Sequence, residues 1–247
     1  MLKLKVIACD VLKREVAYLG SRSACVVDVT YLPQGLHATP DILRAKLAEQ
    51  IELANRGYPY NHYGLEASYD YILLIYGLCD NSVVGLTSEK VPLVIPRAHD
   101  CITMLLGSRT RYDELFHGHP GIYWYSRGWI ECSEQPGEER YIRTYASYVE
   151  RYGEDNAEYL MEMEQGWFTS YNRAVFINWK ELGNDEYYRN YTKSCAAYLR
   201  WDYQETDGDP SLLEKMLNGV FDGDDVLVVP ERKTVVADYT GQILSHG

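Results

Sequence analysis

Short, nearly uninterrupted apolar runs alternate with helical patterns along this chain, and nothing else in the sequence constrains the fold as strongly. The runs at 4–8, 25–32, 71–76 and 93–95 read as strands, while 11–19, 41–54 and 101–116 repeat apolar residues at helical spacing. Strands that are apolar on both faces belong to parallel sheets buried under helices on either side. Right-handed crossovers then give a mainly parallel, Rossmann-like α/β sheet with helices on both faces. The "GIYWY" run at 121–125 supplies one more strand.

The segment 135–153 interrupts this pattern with Pro136 and Gly137, followed by a charged, tyrosine-rich helix over 138–152. Beyond it the alternation resumes. Helices are expected at 155–167, 185–199 and 211–217, and strands at 174–178, 201–205 and 226–229. The expected organisation is an N-terminal α/β lobe over 1–134, carrying the reactive residues, and a second, smaller α/β lobe over 135–247. One continuous sheet shared by both halves fits the pattern equally well.

Composition narrows the function. With 247 residues, 46% apolar and 24% charged, the chain can bury a substantial core. The net charge of -12 offers no basic stripe for phosphates, which argues against nucleic acid as a partner. No apolar run approaches the length of a membrane span, and Met1 to Val6 lead straight into a strand-like segment. A cytoplasmic protein without a membrane partner is expected. Six scattered cysteines in such a compartment read as free thiols or ligands instead of disulfides.

In open α/β sheets, ligands bind outside the carboxyl ends of the strands. Here the strand ends deliver Cys9 and Asp10, then "LPQGLH" with His37, then "GLCDN" with Cys79, then "PRAHDC" with Arg97, His99, Asp100 and Cys101. Cys25, Cys132 and Cys195 fall elsewhere. Thiolates and neutral imidazoles gathered at one point match a soft-metal centre, either zinc or an iron-sulfur cluster. The expected ligands are Cys9, Cys79, His99 and Cys101, with Arg97 and His37 available to a bound cofactor.

Each residue also has a plainer reading. Cys9 and Cys79 can be small core residues, and His37 can stabilise its own loop. Asp100 can cap the helix that starts at Cys101, with His99 and Asp100 otherwise read as a catalytic acid/base pair. A thiol at a helix start is acidified, which singles out Cys101. No GxGxxG, Walker, GxSxG or HExxH spacing occurs.

The stretches "IACDVLKREV", "LPQGLH", "YGLCDNSVVGL", "VPLVIPRAHDCITMLLGSRTRY", "GIYWYSRGWIE", "RYGEDNAEYLMEM" and "DGDDVLVVP" resemble the DUF1638 family of uncharacterised proteins of anaerobic bacteria and methanogenic archaea. The resemblance implies a setting of anaerobic one-carbon metabolism linked to corrinoid-dependent methyl transfer, and makes Cys9, Cys79, His99, Asp100 and Cys101 the family's candidate functional residues. The local His99-x-Cys101 form is similar to the zinc-binding pair of thiol-alkylating methyltransferases. The expectation is a metal-binding α/β protein acting in methyl transfer, as an enzyme or as its accessory. A small molecule or a corrinoid protein would be its partner. Two alternatives stand beside it: a non-catalytic corrinoid or small-anion binding module or metallochaperone, and a metal-free enzyme with Cys101 as nucleophile and His99 as base.

Overall fold

The computed structural model describes residues 1–65 and 68–247. Ten strands and nine α-helices alternate along those residues. The first strands are β1 (Lys3–Cys9), β2 (Val26–Leu32), β3 (Tyr71–Ile75) and β4 (Leu93–Pro96). They are buried on both faces except at β2, whose side chains are largely half-buried because it lies at the sheet edge. All four are parallel, in the order β2-β1-β3-β4. The register pairs Lys3 with Val26 and Cys9 with Leu32, so β1 and β2 end level with each other.

The connecting helices follow from their apolar spacing. A 3-10 turn at Asp10–Leu12 leads into α1 (Lys13–Gly20), which buries Val16 and Leu19. Helix α2 (Pro40–Asn55) starts on a proline, which needs no intrahelical amide partner there, and buries Leu43, Leu47, Ile51 and Ala54 on one stripe. Each such fully buried Leu or Ile contributes about 1.5–3 kcal/mol. The chain crosses from β1 leftward to β2 and then rightward past β1 to β3, so β1 and β3 flank the point where strand order reverses.

Where one helix over 101–116 is expected, there are two: α3 (Cys101–Leu106) and α4 (Arg109–Gly118). Gly107 ends the first in the left-handed region, at φ 80. It sits so close to Asp209 that a Cβ would lie 2.6 Å from the Asp209 side chain.

The chain divides into two compact units, one of residues 1–112 with 209–247, the other of residues 113–208. The division expected after residue 134 therefore falls inside the second unit. In the second unit, β5 (Ile122–Tyr125), β6 (Arg173–Asn178) and β7 (Asp202–Asp207) form a separate parallel sheet, with β6 central. A single continuous sheet is not what the chain forms. Its helices are α5 (Arg127–Cys132), α6 (Glu138–Tyr152), α7 (Glu154–Gln165) and α8 (Glu186–Leu199). Helices α6 and α7 are tied by Glu164, which pairs with Arg140 at 2.9 Å and accepts from the Tyr148 hydroxyl at 2.7 Å. A buried aromatic core of Tyr125, Phe176 and Trp201 is wrapped by half-buried rings that include Tyr123, Phe168 and Tyr171.

After the second unit the chain returns through α9 (Ser211–Leu217) and adds β8 (Val226–Val229) antiparallel to β4, completing the first sheet. A hairpin of β9 (Val235–Asp238) and β10 (Ile243–His246) follows, which the sequence pattern did not predict. Among the described residues no helix is long and apolar enough to cross a membrane.

Candidate functional site

Parallel strands put the four expected loops on one edge of the first sheet. Because β1 and β2 are adjacent and end level, the residue after each lies beside the other. Cys9, the last residue of β1, is 1% exposed, and His37 sits on the 3-10 turn Gln34–Ala38 that follows β2. The Cys9 Sγ lies 3.2 Å from His37 Nε2, a thiol–imidazole hydrogen bond. The His37 ring in turn stacks on Tyr76, with centroids 6.1 Å apart.

The loop after β3 is held by its neighbour. Leu78 and Cys79 donate their backbone amides to the carbonyls of Ala98 and His99, at 2.8 and 3.1 Å. Gly77 permits this approach, since a Cβ there would lie 2.6 Å from the Asp100 nitrogen. Cys79, Asp80 and Asn81 then take three consecutive left-handed conformations, at φ 44, 52 and 64. Such residues cost on the order of 1 kcal/mol or more each and persist only where the surroundings fix them. Here Arg44 donates to the Asn81 carbonyl at 2.9 Å, and the Ser82 amide donates to Leu78.

Burial sets the protonation of the pocket. It lowers the pKa of His37 below the usual imidazole value, partly offset by Asp80, so the ring is neutral at pH 7. Burial likewise pushes the Cys79 thiol up to about 12, with the nearby Cys9, Asp100 and Asp80 adding to a shift that a backbone hydrogen bond at Gly77 opposes. Tyr76, 1% exposed, is held as the neutral phenol, first by burial and then by Cys9, Cys79 and Asp10. Its hydroxyl, Asp10 Oδ1 and Ser82 Oγ are buried without a hydrogen-bond partner among the described residues. Lys13 Nζ stands 3.7 Å from that Asp10 oxygen. Tyr76 was not singled out in the sequence, and Asp10 stood there only as the residue delivered with Cys9. Their place directly beside Cys9 and the "GLCDN" motif was the available signal.

The remaining expected residues are placed differently. His99 is exposed, and its side chain makes no hydrogen bond or ion pair with another described residue. Asp100 caps α3, accepting from the Ile102 amide at 2.9 Å and from the Tyr112 hydroxyl at 3.1 Å, and burial raises its pKa. Cys101 is buried as the first residue of α3. The Arg97 guanidinium is taken up by the carbonyls of Leu244, Asp224 and Val226, which tie the C-terminal segment to β4. None of the six cysteines is in a disulfide.

As placed, therefore, Cys9, Cys79, His99 and Cys101 do not surround one point. Among the described residues no group of three or more His, Cys, Asp or Glu side chains is arranged to hold a metal ion. The preformed element is the pair Cys9 and His37. Two ligands of one tetrahedral zinc, at about 2.3 Å for sulfur and 2.05 Å for nitrogen, stand about 3.5 Å apart. The observed 3.2 Å is close to that separation.

Fold and edge together define the class: a Rossmann-like α/β protein with a buried thiol–imidazole pair at the reversal point of its larger sheet. Residues 31–217 match the family model described as Protein of unknown function (DUF1638), and the chain belongs to that family. No curated protein and no solved structure matches the chain significantly.

Proposed function

We propose that the carboxyl edge of the first sheet is a soft-metal site nucleated by Cys9 and His37 and completed by Cys79. The observation that carries this reading is the 3.2 Å contact between the Cys9 sulfur and the His37 imidazole. Three features support a metal over the alternatives. A neutral imidazole is the form that binds metal, and a thiol gives up its proton on coordination. The metal-free alternative pairs Cys101 with His99, but Cys101 is buried at the start of α3 whereas His99 is exposed and makes no hydrogen bond to it. Three acids, Asp10, Asp80 and Asp100, bear on this edge against two cations, Lys13 beside Asp10 and Arg44 on the Asn81 carbonyl, an acidic balance that favours a cation over a small anion.

Zinc or an iron-sulfur centre is the expected occupant, and metal-linked methyl transfer in one-carbon metabolism is the proposed setting. His99 and Cys101 are not part of this ligand set, and Cys79 completes it only through movement of its left-handed loop.

The test is metal analysis of protein purified without oxygen, with cobalt(II) titration of the stripped protein. Thiolate-to-cobalt charge transfer should appear at one equivalent and be lost in Cys9→Ser, His37→Ala and Cys79→Ser. Cys101→Ser and His99→Ala should leave it intact. Folded protein that holds no zinc or iron and shows no such absorption would overturn the reading.

A further inference from the structure

The second unit carries a solvent-open depression of about 800 Å³ at the amino edge of its sheet. This is within the range of small-molecule sites. Its walls come from the end of α7, the 3-10 turn Gly166–Ser170, the residues preceding β6, and the turn between α8 and β7. Four aromatic side chains line it: Phe168, Tyr171, Tyr198 and Trp201. Their planes differ. Trp201 stands at 90° to Phe168 and 44° to Tyr171, with centroids 6.2 and 5.8 Å apart, so the rings turn a corner instead of forming a flat stack.

Two charged side chains line the same cavity, Glu162 and Arg200. Both are exposed, and neither makes a side-chain hydrogen bond or ion pair with another described residue. Arg200 occupies the position just past α8 in the left-handed conformation, at φ 59 and ψ 36. The amide of Trp201 reaches back to the Ala196 carbonyl at 2.9 Å, closing the helix end. That backbone geometry favours glycine, and an arginine there is maintained against a conformational cost. An arginine held in this conformation at the rim of an aromatic-lined depression is a place to look for a ligand contact.

We propose that this cavity is a binding site for a small zwitterion, its ammonium head lodged among the aromatic rings beside Glu162 and its carboxylate paired with Arg200. Ring corners of tyrosine, tryptophan and phenylalanine attract a cationic head through their π faces. One carboxylate and one guanidinium make the charged lining neutral overall, which matches a ligand carrying one charge of each sign. A trimethylated head suits ring walls best, because it has no N–H groups to satisfy. The proposal involves only the second unit and is independent of the proposed metal site.

The test is calorimetric titration of the full chain with trimethylglycine, with 3,3-dimethylbutanoate, which replaces the charged nitrogen by carbon, and with choline, which lacks the carboxylate. Trimethylglycine should bind saturably, and the carbon isostere at least tenfold more weakly. Arg200→Gly should leave the melting temperature unchanged or raised, weaken trimethylglycine at least tenfold, and leave choline unaffected. Glu162→Gln should weaken trimethylglycine and choline alike. The proposal is overturned if trimethylglycine shows no saturable binding, if the isostere binds as well, or if Arg200→Gly binds as the parent does.

Discussion

Raising the pH should destabilise this protein through Cys79, and the size of the effect follows from its burial. The thiol ordinarily titrates near 9.0 and is pushed up to about 12 in the fold, chiefly by desolvation. Above pH 9 the unfolded chain releases this proton while the folded chain keeps it. Stability from this group is thus complete below 9 and falls as pH rises from 9 towards 12. For one such group, linkage gives a loss of about 1.3 kcal/mol between pH 8 and pH 10. Other buried groups titrate there too, among them Cys195, pushed up to about 11, so the comparison must be differential. Urea unfolding of metal-free parent and Cys79→Ser at pH 8 and 10 isolates the term, because Cys195 and the tyrosines are common to both. The parent should lose about 1.3 kcal/mol more than the variant. Equal losses, within about 0.3 kcal/mol, would show that Cys79 is not held protonated, and the account of a closed, desolvated edge would fail.

Further perturbations probe the same framework. His37 is held neutral by burial, so the parent should lose more stability than His37→Gln as pH falls below about 6.5, read by urea midpoints at pH 7.5 and 5.5. Gly77→Ala should cost about 1–3 kcal/mol, since the new methyl meets only backbone at Asp100 and His99, and fast hydrogen exchange at the Cys79 amide should accompany it. Arg127, 3% exposed, pairs with Asp185 at 3.2 Å and donates to the carbonyls of Trp179 and Gly183; Arg127→Ala should cost roughly 3–5 kcal/mol in thermal unfolding. A loss under about 1 kcal/mol would mean that the second unit does not depend on this clamp.

The parallel framework was legible because β1, β3 and β4 are buried on both faces and therefore read as continuous apolar runs. The edge on which Cys9, His37, Cys79, His99 and Cys101 fall followed from strand direction alone. Which of them touch did not, because the Cys9–His37 contact depends on β2 lying next to β1, and spatial order is not written in local periodicity. Side-chain direction in a loop is equally illegible, which is why His99 reads as a ligand in the sequence and is exposed in the fold. Asp100 as a cap was legible, since its position before an apolar helix start has a local cause. The helix break at Gly107 has a local cause, a glycine in the left-handed helix end, which the apolar spacing over 101–116 overrode. Strand β8 was expected as a strand, whereas its place beside β4 depends on a pairing across more than a hundred residues of chain.

That return has a consequence for how the protein is made. When the ribosome has delivered β1 through β4, the sheet ends at β4, a strand buried on both faces in the finished fold, and β8, which covers β4 and becomes the edge itself, follows the whole second unit. The nascent chain must carry an unprotected edge while residues 113–208 emerge, the situation in which β-sheets are most prone to pair with other chains. Translation that pauses or terminates before β8 should yield aggregating products, whereas the local parallel sheet of the second unit can form before β8 has paired with β4.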